Sequence, residues 1–296
     1  MTLPLRVYFD ANMCINVFER TPELFPALKT FVDQGEIELL ISDIDLVELL
    51  KGDHLDTFDD GISRLLSLSP QWLYLAPLAI REVHYEYLLY QGKKALPPLQ
   101  VFATWPEFLT HITSLEQRDA ISSDVFIPTA AALLDLYPPH SVKDHLNGNW
   151  KPELKRYGEA FRKALKKAKS RKELFCETTA NAANRRLGKV RSFCGFLWNR
   201  PERAPTHRLN LELTFQKLDV DRSKWRMNDF FDCKHAGALP YVDLFVTLDG
   251  PLRDRLSWYD ANVRVPFSLS PYMEKVCTTW EEFVDRVAAL TIESGT

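Results

Sequence analysis

Four acidic residues of this 296-residue chain have the type and spacing to bind a divalent metal ion: Asp10, Glu48, Asp232 and Asp249. Asp10 and Asp249 each close a short run of β-branched and aromatic residues, which predicts that both stand at the end of a strand. Glu48 and Asp232 lie in segments predicted to be helical beside such strands. Because the carboxyl ends of parallel strands meet at one edge of a sheet, the four carboxylates are expected to share one cleft.

Carboxylates held this close together repel one another and raise each other's pKa unless a cation neutralises them. One or two Mg²⁺ or Mn²⁺ ions, bound through oxygen atoms and keeping several waters, would resolve the conflict. The seven histidines and five cysteines are dispersed and include no C-x-x-C pair, so a zinc site is not predicted. Each acid taken alone has a structural interpretation, because an Asp after a strand is a common helix N-cap. Their joint placement on one edge favours the metal site.

The elements that must position these acids begin with alternating strands and helices in the first ninety residues. Apolar runs predict strands at Leu5–Asp10, Ile37–Ser42 and Trp72–Pro77. The middle run lacks polar alternation, as strands buried on both faces do. The intervening helices are predicted at Ala11–Arg20, Pro22–Asp33, Asp43–Leu50, Leu55–Ser67 and Pro77–Tyr90. This order is typical of a doubly wound parallel sheet.

The same alternation of strands and helices returns after residue 226. Strands are predicted at Asp243–Asp249 and Asn262–Phe267, and helices at Met227–Leu239, Leu252–Tyr259 and Thr279–Leu290. We therefore predict an α/β fold with three α/β/α layers and a central parallel sheet of about five strands, interrupted by a mainly helical insertion. The α/β domain would comprise residues 1–91 and 227–296.

Residues 92–226 form the predicted insertion, because they contain no convincing buried strand. Helical patterns at Ser123–Tyr137 and Pro152–Glu173 are separated by proline-bearing loops. A structureless segment of this length would be implausible in a compact protein, so the insertion is expected to fold or pack on the α/β domain.

The composition favours a folded protein of the reducing cytoplasm. Hydrophobic residues make up 46% of the chain, enough for a sizeable core. No apolar stretch approaches the ~18–20 residues that span a bilayer, so no membrane partner is predicted. The first residues lack the pattern of a signal peptide, and an odd number of scattered cysteines argues against a disulfide framework.

The insertion is strongly basic although the whole chain has a net charge of −3. Residues 151–208 contain 17 Lys or Arg and 5 Asp or Glu, a segregation that suggests a polyanionic partner. Phe193, Phe196 and Trp198 follow the basic residues and could stack on unpaired bases. The alternative is a solvated helix beside core aromatics. The candidate nucleic-acid contacts are Arg162, Lys163, Lys166, Lys167, Arg185 and Arg186.

Three segments resemble the motifs of PIN-domain nucleases. VYFDANMCI at Val7–Ile15 is similar to the family's opening strand, with its Asp followed by a small residue and Asn. LLISDIDLVELLKG at Leu39–Gly52 is similar to the second motif, which has an acid on the helix. NDFFDCKHAGALPYVDLFVTLDGPL at Asn228–Leu252 is similar to the third and fourth together: D-x-x-h-A, an apolar strand and T-x-D. The insertion matches nothing in the small members of the family.

The resemblance implies that Asp10, Glu48, Asp232 and Asp249 are the catalytic and metal-binding acids. Asp229, three residues before Asp232 on the same helix face, is the alternative third acid or a further partner of the metal.

Other residues are assigned supporting roles by the same resemblance. Thr247 would orient a metal-bound water or a carboxylate, while Asn12 and Ser42 would support the first strand–helix turn by local hydrogen bonds. His235 is interpreted as structural, with a contact to the acids or to phosphate as the alternative.

The implied function is hydrolysis of phosphodiester bonds in RNA by a metal-activated water, in a toxin or defence effector. Two alternatives stay open: a structure-selective DNA nuclease whose insertion threads a strand, and a catalytically silent scaffold that binds RNA or protein. The partners to consider are therefore RNA in preference to DNA, an inhibitor or antitoxin protein, and further copies of the chain.

Overall fold

The computed structural model describes residues 3–51, 63–75, 77–116, 151–220 and 226–294. These residues form a six-stranded sheet flanked by helices, with strand order β4-β3-β2-β1-β5-β6. The strands are β1 (Leu5–Phe9), β2 (Ile37–Ser42), β3 (Gln71–Leu73), β4 (Val101–Phe102), β5 (Leu244–Val246) and β6 (Val276–Cys277). The predicted α/β class is confirmed.

Helices connect the strands on both sides of the insertion. They are α1 (Ala11–Ile15), α2 (Phe25–Asp33), α3 (Asp43–Lys51), α4 (63–67), α5 (Leu78–Tyr90), α6 (Trp105–Glu116), α7 (Lys151–Lys167), α8 (Arg171–Ala182), α9 (Leu187–Trp198), α10 (Pro205–Phe215), α11 (Met227–Ala236), α12 (Gly250–Tyr259) and α13 (Trp280–Ser294). Among the described residues, no helix is both long and apolar enough to cross a membrane.

Five of the six strands run parallel, and β1 lies at their centre. It pairs in parallel with β2 on one side and β5 on the other, so its three last residues are completely buried. Strands enclosed in this way need apolar residues on both faces, which the segment LRVYF supplies from Val7 onward. The chain leaves β1 towards β2 and later returns to β5 on the opposite side. The carboxyl ends of β1 and β5 therefore flank a topological switch point, where α/β proteins bind ligands.

Two strand predictions differ from the structure. β4 lies within the predicted insertion and pairs antiparallel with β3, a two-residue contact too short to leave a periodic signal. The predicted strand Asn262–Phe267 is wrong: Asp260–Arg264 is a π-helical turn that continues α12, and Val265–Phe267 is a 3₁₀ turn. Pro266 has no N–H for a sheet, and the actual edge strand is β6.

The predicted helix Pro152–Glu173 is divided into α7 and α8. Ser170 takes an extended conformation and its hydroxyl accepts the Glu173 N–H at 3.2 Å, while Glu173 accepts the Lys169 N–H at 2.7 Å. These two side chains start a new helix because they satisfy backbone donors that a continuous helix would bond internally. The other predicted helix of the insertion, Ser123–Tyr137, lies outside the described residues.

The helices after residue 150 build a second apolar core beside the one under the sheet. Phe161, Leu174 and Phe193 pack there together with Val83 from α5. Helix α10 belongs to both cores, because Leu209 and Leu213 face the sheet whereas Leu211 and Leu218 (in the π-helical turn that follows it) face the second cluster. A helix apolar on opposite faces is expected to be buried between layers.

Gly237, which ends α11, leaves no room for a side chain. A Cβ atom there would lie 2.8 Å from the Lys234 carbonyl oxygen and 2.8 Å from Cγ2 of Thr206. Gly237→Ala is therefore expected to lower the free energy of unfolding by about 1–3 kcal/mol, measured by urea denaturation. Gly188→Ala is the control, since a Cβ at Gly188 meets nothing within 4 Å. Equal stability of both variants would contradict the close packing of α11 on α10.

Candidate metal and nuclease site

Asp10 connects the end of β1 to the start of α1. Its Oδ1 accepts the Met13 N–H at 2.8 Å and caps the helix, and its Oδ2 accepts the Thr247 hydroxyl at 2.5 Å. The residue is 3% exposed, and burial raises the pKa of Asp10 to about 7. Asp10 thus caps α1 and also lies in the cleft at the switch point.

Thr247 and Asp249 follow β5 on the other side of the cleft. The Thr247 hydroxyl donates to Asp10 and accepts the Asp249 N–H at 3.1 Å. Asp249 in turn caps α12, because its Oδ1 accepts the Leu252 N–H at 2.6 Å. The predicted role of Thr247 in orienting a carboxylate corresponds to this contact.

His235 of α11 reaches across to α3 and β1. Its Nε2 lies 2.7 Å from Glu48 Oε2, and its Nδ1 lies 2.7 Å from the Tyr8 hydroxyl and 3.4 Å from Oδ1 of Asp45. Burial by itself lowers the pKa of His235, but the charges of Asp45 and Glu48 outweigh it and raise the pKa to about 9. A cationic imidazole therefore stands among the acids.

Asp45 is a completely buried carboxylate beneath that imidazole. Its Oδ2 accepts both the backbone N–H and the hydroxyl of Ser42 at 2.7 Å. Ser42 therefore supports the turn between β2 and α3 by local hydrogen bonds. Its Oδ1 accepts no hydrogen bond from the described residues. Burial raises the pKa of Asp45, and the nearby charge of His235 opposes that effect.

Arg255 of α12 neutralises the two acids of α11. Its guanidinium bonds to Asp232 through Nη2 and to Asp229 through Nη1, the latter at 3.2 Å. Asp229 also contacts Lys217 at 2.9 Å, and it accepts the Arg226 N–H at 2.7 Å. Asp229 thus belongs to an ion-pair network that also caps its own helix, whereas Asp232 is paired with Arg255.

Pairwise charge effects link Asp232 to Asp249, and link both Asp10 and Glu48 to His235. Burial and, to a smaller extent, the charge of Asp249 raise the pKa of Asp232 to about 6, although the charge of Arg255 opposes both effects. The positive charge of His235 likewise opposes the effect of burial on Asp10. Asn12, by contrast, is exposed on the first turn of α1, which Asp10 caps.

The donor set has the chemistry that Mg²⁺ or Mn²⁺ requires. The acids offer hard oxygen ligands, and the raised pKa of Asp10 marks a buried carboxylate that a nearby cation would stabilise in its ionised form. Within the described residues, however, no three His, Cys, Asp or Glu side chains are already grouped to hold a metal ion. His235 and Arg255 hold Glu48 and Asp232 instead.

Sequence reasoning missed Asp45, Tyr8 and Arg255, and interpreted His235 as structural. One signal was available, since His235 follows Asp232 by three residues and shares its helix face. The contact between His235 and Glu48, which lie 187 residues apart, leaves no local signal.

Four of the six candidate nucleic-acid contacts lie on α7. Lys163, Lys166 and Lys167 are exposed, Arg162 is half-buried, and Arg185 and Arg186 are exposed in the turn before α9. The expectation of exposed stacking aromatics is wrong for Phe193, which is 1% exposed in the second core.

Comparison with known proteins gives no match to this chain among protein-family models, curated sequences or solved structures.

Proposed function

We propose that this protein is a metal-dependent nuclease of the PIN type that hydrolyses phosphodiester bonds in RNA. The observation that supports it is the pairing of Asp10 with Thr247 at the switch point between β1 and β5, with Asp249 two residues further on. These are the residues of the first and last motifs, and we assign Glu48 and Asp232 as the other two acids of the proposed site.

The residues present can each serve a bound ion and substrate. A carboxylate oxygen has two lone pairs, so the bonds from Met13 and Thr247 leave acceptor capacity on both oxygens of Asp10. Asp249 is placed by its N-cap bond, and Glu48 by its bond to His235. A bound Mg²⁺ or Mn²⁺ would lower the pKa of a coordinated water and neutralise charge on the phosphate.

The basic surface on α7 provides the second part of the proposal. Helix α7 lies against α11, which carries Asp229 and Asp232. Exposed lysines beside an acidic cleft would attract the phosphate backbone that the acids alone would repel. We therefore assign the α7 surface to the binding of single-stranded RNA near the site.

Charge reversal on α7 tests this assignment. The triple variant Lys163→Glu, Lys166→Glu, Lys167→Glu is expected to weaken RNA binding and to flatten its salt dependence. Each lost phosphate contact removes roughly 0.7 from the slope of log K against log salt, so loss of all three removes about 2. Fluorescence anisotropy with a labelled oligonucleotide at several salt concentrations measures both quantities.

A variant with the same change in net charge is the control. Arg20, Lys93 and Lys94 are exposed outside residues 151–208, and their simultaneous replacement by Glu is expected to leave most of the salt slope in place. If both triple variants reduce the slope equally, the effect comes from net charge and α7 does not contact RNA.

The nuclease activity is tested with purified full chain and labelled RNA, DNA and branched DNA, each with Mn²⁺ or EDTA. We expect cleavage of RNA that EDTA abolishes. Cleavage confined to branched DNA would favour the structure-selective DNA nuclease instead.

A catalytically silent scaffold is the second candidate. The described residues contain no preassembled metal-binding group, and Arg255 and His235 already compensate part of the acidic charge. Tight RNA binding without cleavage in Mn²⁺ would favour this function over the nuclease.

A further inference from the structure

A buried chain of hydrogen bonds fixes the orientation of His235. The Tyr8 hydroxyl lies 2.7 Å from Nδ1 of His235 and 2.8 Å from the Ser42 hydroxyl, which donates to Asp45 Oδ2 at 2.7 Å. All these atoms come from elements that meet under the acidic cleft: β1, β2, α3 and α11.

Counting hydrogens assigns the direction of each bond. With Asp45 ionised, the single hydrogen of Ser42 goes to the carboxylate, so the Tyr8 hydroxyl donates to Ser42 or to Asp45 and not to the imidazole. The hydrogen of Tyr8 is then used, and Nδ1 of His235 can only donate to Tyr8. On the opposite side of the ring, Nε2 donates to the Glu48 carboxylate at 2.7 Å.

This arrangement places a fixed donor, the Nε2–H group of His235, against the Glu48 carboxylate. Glu48 stands on α3 with a half-buried side chain, and a glutamate has three rotatable bonds. The imidazole is 2% exposed and held from below by Tyr8, whose ring stacks on Phe245 with centroids 5.5 Å apart. Hydrogen-bond partners of ligating side chains commonly set ligand orientation in this way.

We propose that His235 is a positioning residue of the metal site, which holds Glu48 through Nε2–H while Tyr8 and Ser42 hold the imidazole. The inference rests on the proposed function, since it takes Glu48 as a ligand of Mg²⁺ or Mn²⁺. It assigns His235 no contact with substrate. Its consequence is that metal affinity depends on a histidine 187 residues from the acid it orients.

Calorimetric titration of the full chain with Mn²⁺ tests the inference without relying on activity. His235→Ala is expected to weaken Mn²⁺ binding about 10–100-fold, the usual range for a lost orienting partner. His235→Gln is expected to recover most of the loss, because its amide can present an N–H near the position of Nε2. Tyr8→Phe, which keeps the ring stack but removes the hydroxyl, should cause a smaller loss.

A double-mutant cycle separates positioning from general structural damage. If His235 acts through Glu48, then His235→Gln and His235→Ala bind Mn²⁺ equally in a Glu48→Gln background. The inference would be overturned if the Mn²⁺ affinities of the two His235 variants differed by the same factor in the Glu48→Gln background as in the wild-type background. It would also be overturned if His235→Ala bound Mn²⁺ as tightly as the wild-type protein. The Gln variant keeps the test valid if the Ala variant does not fold. Absence of Mn²⁺ binding by the wild-type protein would instead overturn the proposed function itself.

Discussion

Asp10→Asn is expected to abolish Mn²⁺-dependent cleavage of RNA while leaving the protein folded. The carboxylate stands at the switch point of the sheet, and its replacement removes one anionic ligand from the proposed site. We expect a loss of at least about 100-fold, the upper end of what an absent supporting group costs a metal site. The loss is measured as initial cleavage rate at saturating Mn²⁺.

The fold should tolerate this change because the amide reproduces both structural contacts. Asn Oδ1 can accept the Met13 N–H that caps α1, and the Thr247 hydroxyl can accept from the amide instead of donating to a carboxylate. Removing a buried charge also removes its desolvation cost. The free energy of unfolding in EDTA is therefore expected to remain within about 1 kcal/mol of the wild type, or to rise.

Asp254→Asn is the matched control. Asp254 is exposed on α12, next to the site but outside its hydrogen-bond network, so the same change should leave cleavage and stability unaltered. Wild-type activity in Asp10→Asn would place the active site elsewhere, whereas an unfolded variant would mean that the N-cap needs the charge.

Glu82→Ala is expected to be the most destabilising of the substitutions. Helix α10 begins at Pro205 without a side-chain N-cap, and Glu82 of α5 caps it from another helix. The carboxylate accepts the N–H groups of Thr206 at 3.1 Å and His207 at 2.9 Å, and the Tyr241 hydroxyl at 2.6 Å. One side chain therefore joins α5, α10 and the segment that leads into β5.

Truncation would remove the acceptor of two buried N–H groups and of the part-buried Tyr241 hydroxyl. Each donor left unpaired costs about 1–3 kcal/mol, so a loss of several kcal/mol is expected. At about 2–4 °C per kcal/mol for a chain of this size, the midpoint of thermal unfolding should fall by roughly 10 °C. Calorimetry measures this shift, with His84→Ala on the exposed face of α5 as the control. A fall of only a degree or two would show that water replaces the carboxylate.

The same residue makes stability depend on pH. Burial raises the pKa of Glu82 from its ordinary 4.5 to about 7 in the folded protein. Between pH 4.5 and about 7, the folded state therefore holds a proton on Glu82 that the unfolded state has lost. The contribution of this proton to the free energy of unfolding is at its maximum below pH 4.5 and is lost as the pH rises to about 7. The stability advantage of the wild type over Glu82→Gln should accordingly be larger at pH 5 than at pH 8. An advantage that grows with pH would contradict this sign.

Local patterns were sufficient for the elements that carry the strand-end acids. Asp10 and Asp249 follow apolar runs and precede helices, so strand end and N-cap are both readable within a few residues. The acidic cleft between β1 and β5 follows from placing such strands in a parallel sheet. The two-residue strands β4 and β6 were missed, because pairing partners rather than periodicity define so short an element. Asn262–Phe267 was assigned to a strand because its alternation resembles one, although its residues continue α12.

The class of fold, the four candidate acids and the basic character of α7 could all be predicted from the sequence alone. The partners of those acids depend on the tertiary fold: His235 holds Glu48, and Arg255 holds Asp232. Strand and cap preferences act over a few bonds, whereas the pairing of buried charges depends on which distant side chains share a water-free space. The acids could be predicted from neighbouring residues in the sequence, but the cationic side chains that pair with them could not.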